Sequence, residues 1–130
     1  MQNHSPFALA IHGGAGTITR SSLSEEMDQQ YRAALHQALH TGQQVLQSGG
    51  TALAAVEAAV VVLEDCPLFN AGCGSVFNKT CRHEMDAALM CGRTLAAGAV
   101  AGVQNIRNPV KLASQVLHGS DHVFLSHQGA

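Results

Sequence analysis

Charge is scarce in this sequence. Only 12% of its 130 residues are Asp, Glu, Lys or Arg, about half the share found in an ordinary globular chain. The 7 Lys and Arg residues do not cluster, and the formal net charge is −2, so the electrostatic footprint of nucleic-acid binding is missing. No apolar run approaches the roughly 18 residues that a membrane-spanning helix requires. The first residues, Met1-Gln2-Asn3-His4-Ser5-Pro6, carry neither a basic region nor a cleavable apolar core. No export signal is visible, and a cytoplasmic location is expected. In that compartment the 4 cysteines are expected to be reduced thiols.

What is present suits one domain, able to bury roughly two thirds of its unfolded surface. Hydrophobic residues make up 46% of the chain. With so little charge to cover the surface, two readings stand: an Ala- and Gly-rich globular domain, or a chain whose apolar surface is covered by an obligate partner.

Periodicity divides the chain into elements. The apolar run Phe7-Ala8-Leu9-Ala10-Ile11, bounded by glycines, predicts a buried strand. Ser22 with Glu25 fits a capping box. Met27, Tyr31, Ala34, Leu35, Ala38, Val45 and Leu46 then recur at helical spacing, and Gly49-Gly50 end the helix. Thr51 caps a second helix with the stripe Leu53, Val56, Val60 and Leu63, closed by Pro67. Residues 84–90 and 95–103 read as strands. Asn108-Pro109 starts a helix, and residues 122–126 read as a last strand. No repeat or low-complexity stretch is seen. The order is that of a layered α/β (α+β) chain.

Three segments carry chemical interest. His12-Gly13-Gly14-Ala15-Gly16 follows the first strand directly, and its glycines let backbone groups approach a reacting centre closely. The second is Leu63-Glu64-Asp65-Cys66-Pro67-Leu68-Phe69-Asn70-Ala71-Gly72-Cys73-Gly74-Ser75-Val76. The third is Glu84-Met85-Asp86-Ala87-Ala88-Leu89-Met90, followed by Ala97-Gly98-Ala99-Val100-Ala101-Gly102-Val103 and Asn108-Pro109-Val110. In this order they resemble the N-terminal, α-subunit part of the plant-type L-asparaginases, or isoaspartyl peptidases, of the N-terminal nucleophile (Ntn) hydrolase superfamily. The resemblance runs from about Phe7 to Ala130.

The resemblance implies a four-layer α-β-β-α sandwich, with residues 1–130 forming the α-subunit part of a single domain that a β-subunit completes. It implies an (αβ)2 assembly that hydrolyses L-asparagine and β-aspartyl dipeptides after cutting its own precursor before a threonine. That threonine supplies the nucleophile and, through its freed α-amine, the base. The family's Gly-Thr-Val-Gly-Ala-Val context does not occur here, so no catalytic residue is assigned, and the chain alone is expected to be inactive. Gly13 and Gly14 match the turn beside the nucleophile, and Asn70 matches the asparagine that orients it. The main-chain carbonyls of Leu63, Glu64, Cys66, Phe69, Ala71 and Cys73 match a structural sodium loop. Oxygen ligands suit such a hard cation, and backbone coordination tolerates varied side chains. No cofactor is expected for the chemistry itself.

Rival readings remain at this level. The chain could be a truncated, non-catalytic binding module on the same fold, or belong to a taspase-like protease branch, although His12-Gly13-Gly14 favours the asparaginase branch. His12 reads better as a hydrogen-bonded core residue than as a base. Cys66, Cys73, Cys81, Cys91 and His83 lack the paired spacing of a structural zinc site. Cys91 stands where the family usually has aspartate, which puts a local turn or hydrogen bond in doubt. Gly16-Thr17 and Gly50-Thr51 read as structural, not as cleavage sites.

Overall fold

The computed structural model describes residues 7–14, 16, 19 and 22–130. The N-terminal segment 1–6, Ala15 and Thr17 lie outside the described residues. The architecture is α+β, built from two helix-rich and sheet-rich halves. No helix among the described residues is long and apolar enough to cross a membrane.

Helix α1 (Glu25–Gln47) starts at Ser24, whose hydroxyl accepts the Met27 N–H. The cap is therefore Ser24, not Ser22. Ser22 closes the preceding turn instead, its hydroxyl donating to the Thr19 carbonyl and accepting the Thr19 N–H. The helix ends as its glycines predict. Gly49 adopts φ +83°, its N–H donates to the Leu46 carbonyl, and the Gly50 N–H donates to that of Val45. This pair of bonds satisfies carbonyls that a helix end otherwise leaves unpaired.

Thr51 caps α2 (Ala52–Glu64) by accepting the Ala54 N–H, so Gly50-Thr51 is structural here. The buried face of α2 differs from the predicted stripe. It carries Ala55, Ala59, Leu63 and Glu64, while Val56 is exposed. Small residues win because the two helices approach closely. A Cβ at Gly42 would meet the Ala55 carbonyl oxygen at 3.0 Å and the Ala59 Cβ at 3.4 Å.

The first apolar run crosses this helix pair in extended form, with Phe7, Leu9 and Ile11 half-buried and Ala8, Ala10 and His12 exposed. The two-residue alternation of a strand is present. The strand itself is not, because no neighbour among the described residues supplies a ladder.

The second half is a three-stranded mixed sheet in the order β1 (Met85–Met90), β2 (Ala97–Val103), β3 (Phe124–Ser126). β1 and β2 run antiparallel, and β2 and β3 run parallel through the crossover helix α3 (Pro109–Gly119). Between Met85 and Ala87 the register shifts, so β2 carries one extra residue. Gly102 sits there at φ +61°, and its N–H donates to the Asp86 carboxylate at 2.8 Å. This is a glycine bulge, with its freed amide satisfied by a side chain. One sheet face packs on α3 through Met85, Val100, Val103, Ala113 and Val116. At Gly98 the contact is so close that a Cβ would strike the backbone of Ala113 and Leu117. The opposite face is uncovered, with Met90 56% and Phe124 55% exposed.

The strands are shorter than their sequence patterns. Leu95, predicted inside β2, lies in the hairpin turn at φ +62°. In that turn Cys91 does the work in doubt above. Its sulfur takes hydrogen bonds from the Thr94 side chain and from the backbone N–H groups of Thr94 and Arg93, which lower the thiol to about 7.

Glu64 joins the halves. Its Oε1 accepts the Val110 N–H at 2.9 Å, capping α3 from the end of α2. Asn108 holds the N-cap position, but its side chain donates to Asp65. Burial raises the Glu64 carboxyl above the usual range, while the Val110 amide and the Asn108 side chain pull it down. Its Oε2 is buried with no hydrogen-bond partner among the described residues.

Two outcomes follow from these contacts in a complete enzyme carrying this chain. Glu64→Ala leaves the Val110 N–H unsatisfied and opens a void, and should lower unfolding stability by about 1–3 kcal/mol. Urea denaturation checks this, and an unchanged midpoint would show that the cap contributes nothing. Cys91 should react with iodoacetamide at a rate that rises with pH through about 7, since the thiolate is the reacting form. Thr94→Ala should move that midpoint upward, and mass-spectrometric mapping of the modified cysteine reads both.

Candidate active site

The carboxyl end of α2 runs into a loop wound back on itself. The Cys66 N–H donates to the Leu63 carbonyl, Phe69 N–H to that of Cys66, Ala71 N–H to that of Phe69, and Gly74 N–H to that of Ala71. Each of these carbonyls keeps a second lone pair. Two glycines make the winding possible. A Cβ at Gly72 (φ +51°) would collide with the Glu64 carbonyl, and one at Gly74 with the carbonyls of Phe69 and Pro67. Four of the six carbonyls proposed for a cation lie in this loop, and those of Leu63 and Glu64 end α2 just before it. Backbone oxygens of Glu64 and Phe69 are turned toward positions that a side chain would fill.

Gly13 and Gly14 come together with Asn70 around one cleft of about 570 Å³, which is also lined by His12, Tyr31 and Val76. Gly13 sits in a tight space, where a Cβ would meet the Leu35 side chain at 2.9 Å and the Phe69 ring at 3.2 Å. Gly14 is required by conformation, with φ +116°. Phe69 is itself held by the edge of Tyr31, the ring centroids 5.7 Å apart at 81°. The Asn70 carbonyl oxygen accepts the Val76 N–H at 2.9 Å. That bond fixes the side-chain amide and leaves its NH₂ free to donate.

His12 is exposed rather than in the core. A residue ending an extended segment places alternate side chains outward, and its Nδ1 accepts the Gly14 N–H at 3.1 Å, bracing the turn. Tyr31 and Val76 were not singled out as site residues in the sequence. Tyr31 read as one position of a helical stripe, and the contribution of Val76 is a backbone amide, which no side-chain pattern reports. Among the described residues the cleft lining includes no Ser, Thr, Cys, Asp, Glu, Lys or Arg. It can orient a group by hydrogen bonds and shape, and the one hydroxyl in its lining among the described residues is the Tyr31 phenol.

The four cysteines are free thiols. Among the described residues no three His, Cys, Asp or Glu side chains gather as a metal-binding group.

Residues 5–130 match the Asparaginase_2 family, described as asparaginase. The chain is 50% identical over 122 residues to the isoaspartyl peptidase of Escherichia coli (strain K12), covering 94% of this chain and 38% of that protein. It is 49% identical over 123 residues to the plant-type L-asparaginase of Pyrococcus furiosus, covering 95% and 39%. With the human isoaspartyl peptidase/L-asparaginase it shares 47% identity over 125 residues, covering 96% and 39%. The chain therefore spans about two fifths of the length of these relatives. The match takes in the glycine turn, the wound loop and Asn70 alike, and the chain belongs to the asparaginase family Asparaginase_2.

Proposed function

We propose that this chain is the α-subunit part of a threonine-nucleophile amidohydrolase that converts L-asparagine to L-aspartate and cleaves β-aspartyl dipeptides in the cytoplasm. The observation that carries the reading is a cleft with an orienting amide and a glycine turn but no Ser, Thr or Cys among its described residues, in a chain that covers 38% of its isoaspartyl peptidase relative. Such a cleft is one wall of a site. The other wall comes from a β-subunit of the same precursor, which autoproteolysis frees with an N-terminal threonine. Its α-amine takes the hydroxyl proton, and the hydroxyl attacks the side-chain amide or β-peptide carbonyl. Ammonia or the amino acid leaves, and water releases aspartate from the acyl-enzyme. In this chain Asn70 holds the nucleophile by its NH₂, while Gly13 and Gly14 keep the approach open.

The uncovered sheet face with Met90 and Phe124 supports the four-layer sandwich, since a second sheet stacks on such a face at about 10 Å. The extended segment 7–11, with its exposed alternate residues, supports a strand completed by the β-subunit. We take two such αβ units to form the assembly. A sodium ion bound by the carbonyls of Leu63, Glu64, Cys66, Phe69, Ala71 and Cys73 would hold the loop that carries Asn70 in place. The wound loop, with Glu64 and Phe69 oxygens aimed at glycine positions, fits a hard cation.

Co-expression with the β-subunit of a relative, followed by an aspartate-release assay, tests the reading. The chain alone should be inactive and the reconstituted pair active. Asn70→Ala should lower turnover of the pair by about 30- to 150-fold, the equivalent of roughly 2–3 kcal/mol, while leaving it folded. Turnover by the chain alone, or an unaffected Asn70→Ala pair, would overturn the respective assignments. Crystals of the pair grown with rubidium should show the ion among the six carbonyls. Carbonyls turned to solvent around no ion would refute the cation loop.

A further inference from the structure

The turn through Gly72, Cys73 and Ser75 has a second side. Ala71, Gly74 and Val76 line the cleft described above, whereas Gly72, Cys73 and Ser75 line another, of about 560 Å³, with Arg82, His83, Gln104, Asn105 and Arg107. A smaller cavity of about 520 Å³ continues from Arg82, Gln104 and Asn105 toward His127. This second cleft gathers polar donors in a chain otherwise poor in charge. Two of the 7 Lys and Arg residues face it, and no Asp or Glu lines it among the described residues.

Ser75, His83, Gln104 and Arg107 are held by neighbours. Ser75 is buried to 9% exposure, and its Oγ lies 3.1 Å from His83 Nδ1. The His83 ring rests on Phe77, centroids 4.2 Å apart. Arg107 is oriented by Asp65, which takes its Nε and Nη2 at 3.0 and 3.2 Å and also accepts from Asn108. Gln104 donates to Glu84 at the rim. Arg82 is different, since its guanidinium has no ion-pair partner among the described residues.

We propose that this second cleft binds a small oxyanion, a carboxylate or a phosphate group, with Arg82 as its anchor and Asn105 and the Ser75–His83 pair, which offers one proton outward beyond its mutual bond, as further donors. An unpaired guanidinium beside neutral donors matches the planar, doubly accepting edge of such a group. Asp65 does not oppose the ligand, because Arg107 and Asn108 already occupy it. The site stands apart from the asparaginase cleft and does not depend on the activity assigned there.

Inorganic phosphate and succinate, titrated separately into the complete enzyme at low ionic strength, provide the test. Calorimetry should show saturable binding, weakened about tenfold or more by Arg82→Gln. Arg93→Gln, in the β1–β2 turn and outside the cleft, should leave it unchanged. Backbone amide shifts should move at Ser75 and Asn105. Tighter succinate binding identifies a carboxylate ligand, and tighter phosphate binding a phosphate ligand, either of which supports the site. The proposal fails if neither anion saturates, if the two arginine variants weaken binding equally, or if the shifts fall at Gly14 and Asn70 instead.

Discussion

Glu64 is a carboxylate at 3% exposure that ends one helix and caps the start of another. Burying such a group is unfavourable unless its hydrogen bonds are made. Here one oxygen takes the Val110 N–H and the other takes nothing among the described residues. The asymmetry is informative. A helix N-terminus offers positive partial charge as well as an unpaired amide, so the carboxylate and α3 relieve one another. With the α1–α2 cluster on one side and the α3-covered sheet on the other, this contact sets where the sheet stands relative to the loop that leaves Glu64. The exposed Arg107–Asp65 pair lies beside it and holds Asp65 below the usual carboxylate range. At 79% exposure of the arginine side chain, that pair adds orientation more than stability.

The same loop is shaped by absent side chains. A Cβ at Gly72 or Gly74 would strike a carbonyl, and one at Gly13 would press on the Leu35 methyl and the Phe69 ring. Glycine costs conformational entropy on folding, and at Gly72 and Gly74 that cost falls where backbone approaches backbone. In the cleft beside this loop, Asn70 is fixed by a main-chain amide.

Much of this was legible in the residues, and the exceptions share a cause. The helix ends at Gly49-Gly50, the Thr51 cap and the Pro109 start all depend on local backbone chemistry, and all three were read correctly. Gly13, Gly14 and Asn70, singled out from short contiguous motifs, line one cleft. Failures arose where a distant neighbour decides. Val56 lost its predicted place to Ala55 and Ala59 because α1 comes too near for a larger side chain. Asn108 gave its amide to Asp65 because Glu64, 46 residues before Val110, arrives to cap the helix. Phe7, Leu9 and Ile11 have the alternation of a strand, yet a ladder needs a second chain segment that no local pattern reveals. Between Ser22 and Ser24 the choice turned on a single turn, where Thr19 captured the first hydroxyl.

The uncovered sheet face ties the persistence of this fold to mass action. A surface with Met90 and Phe124 more than half exposed gains stability only in proportion to how fully something occupies it, following the logarithm of that occupant's concentration over its dissociation constant. Left open, a face of this kind presents what chaperones bind and what aggregates nucleate from, so any occupant of it competes with capture.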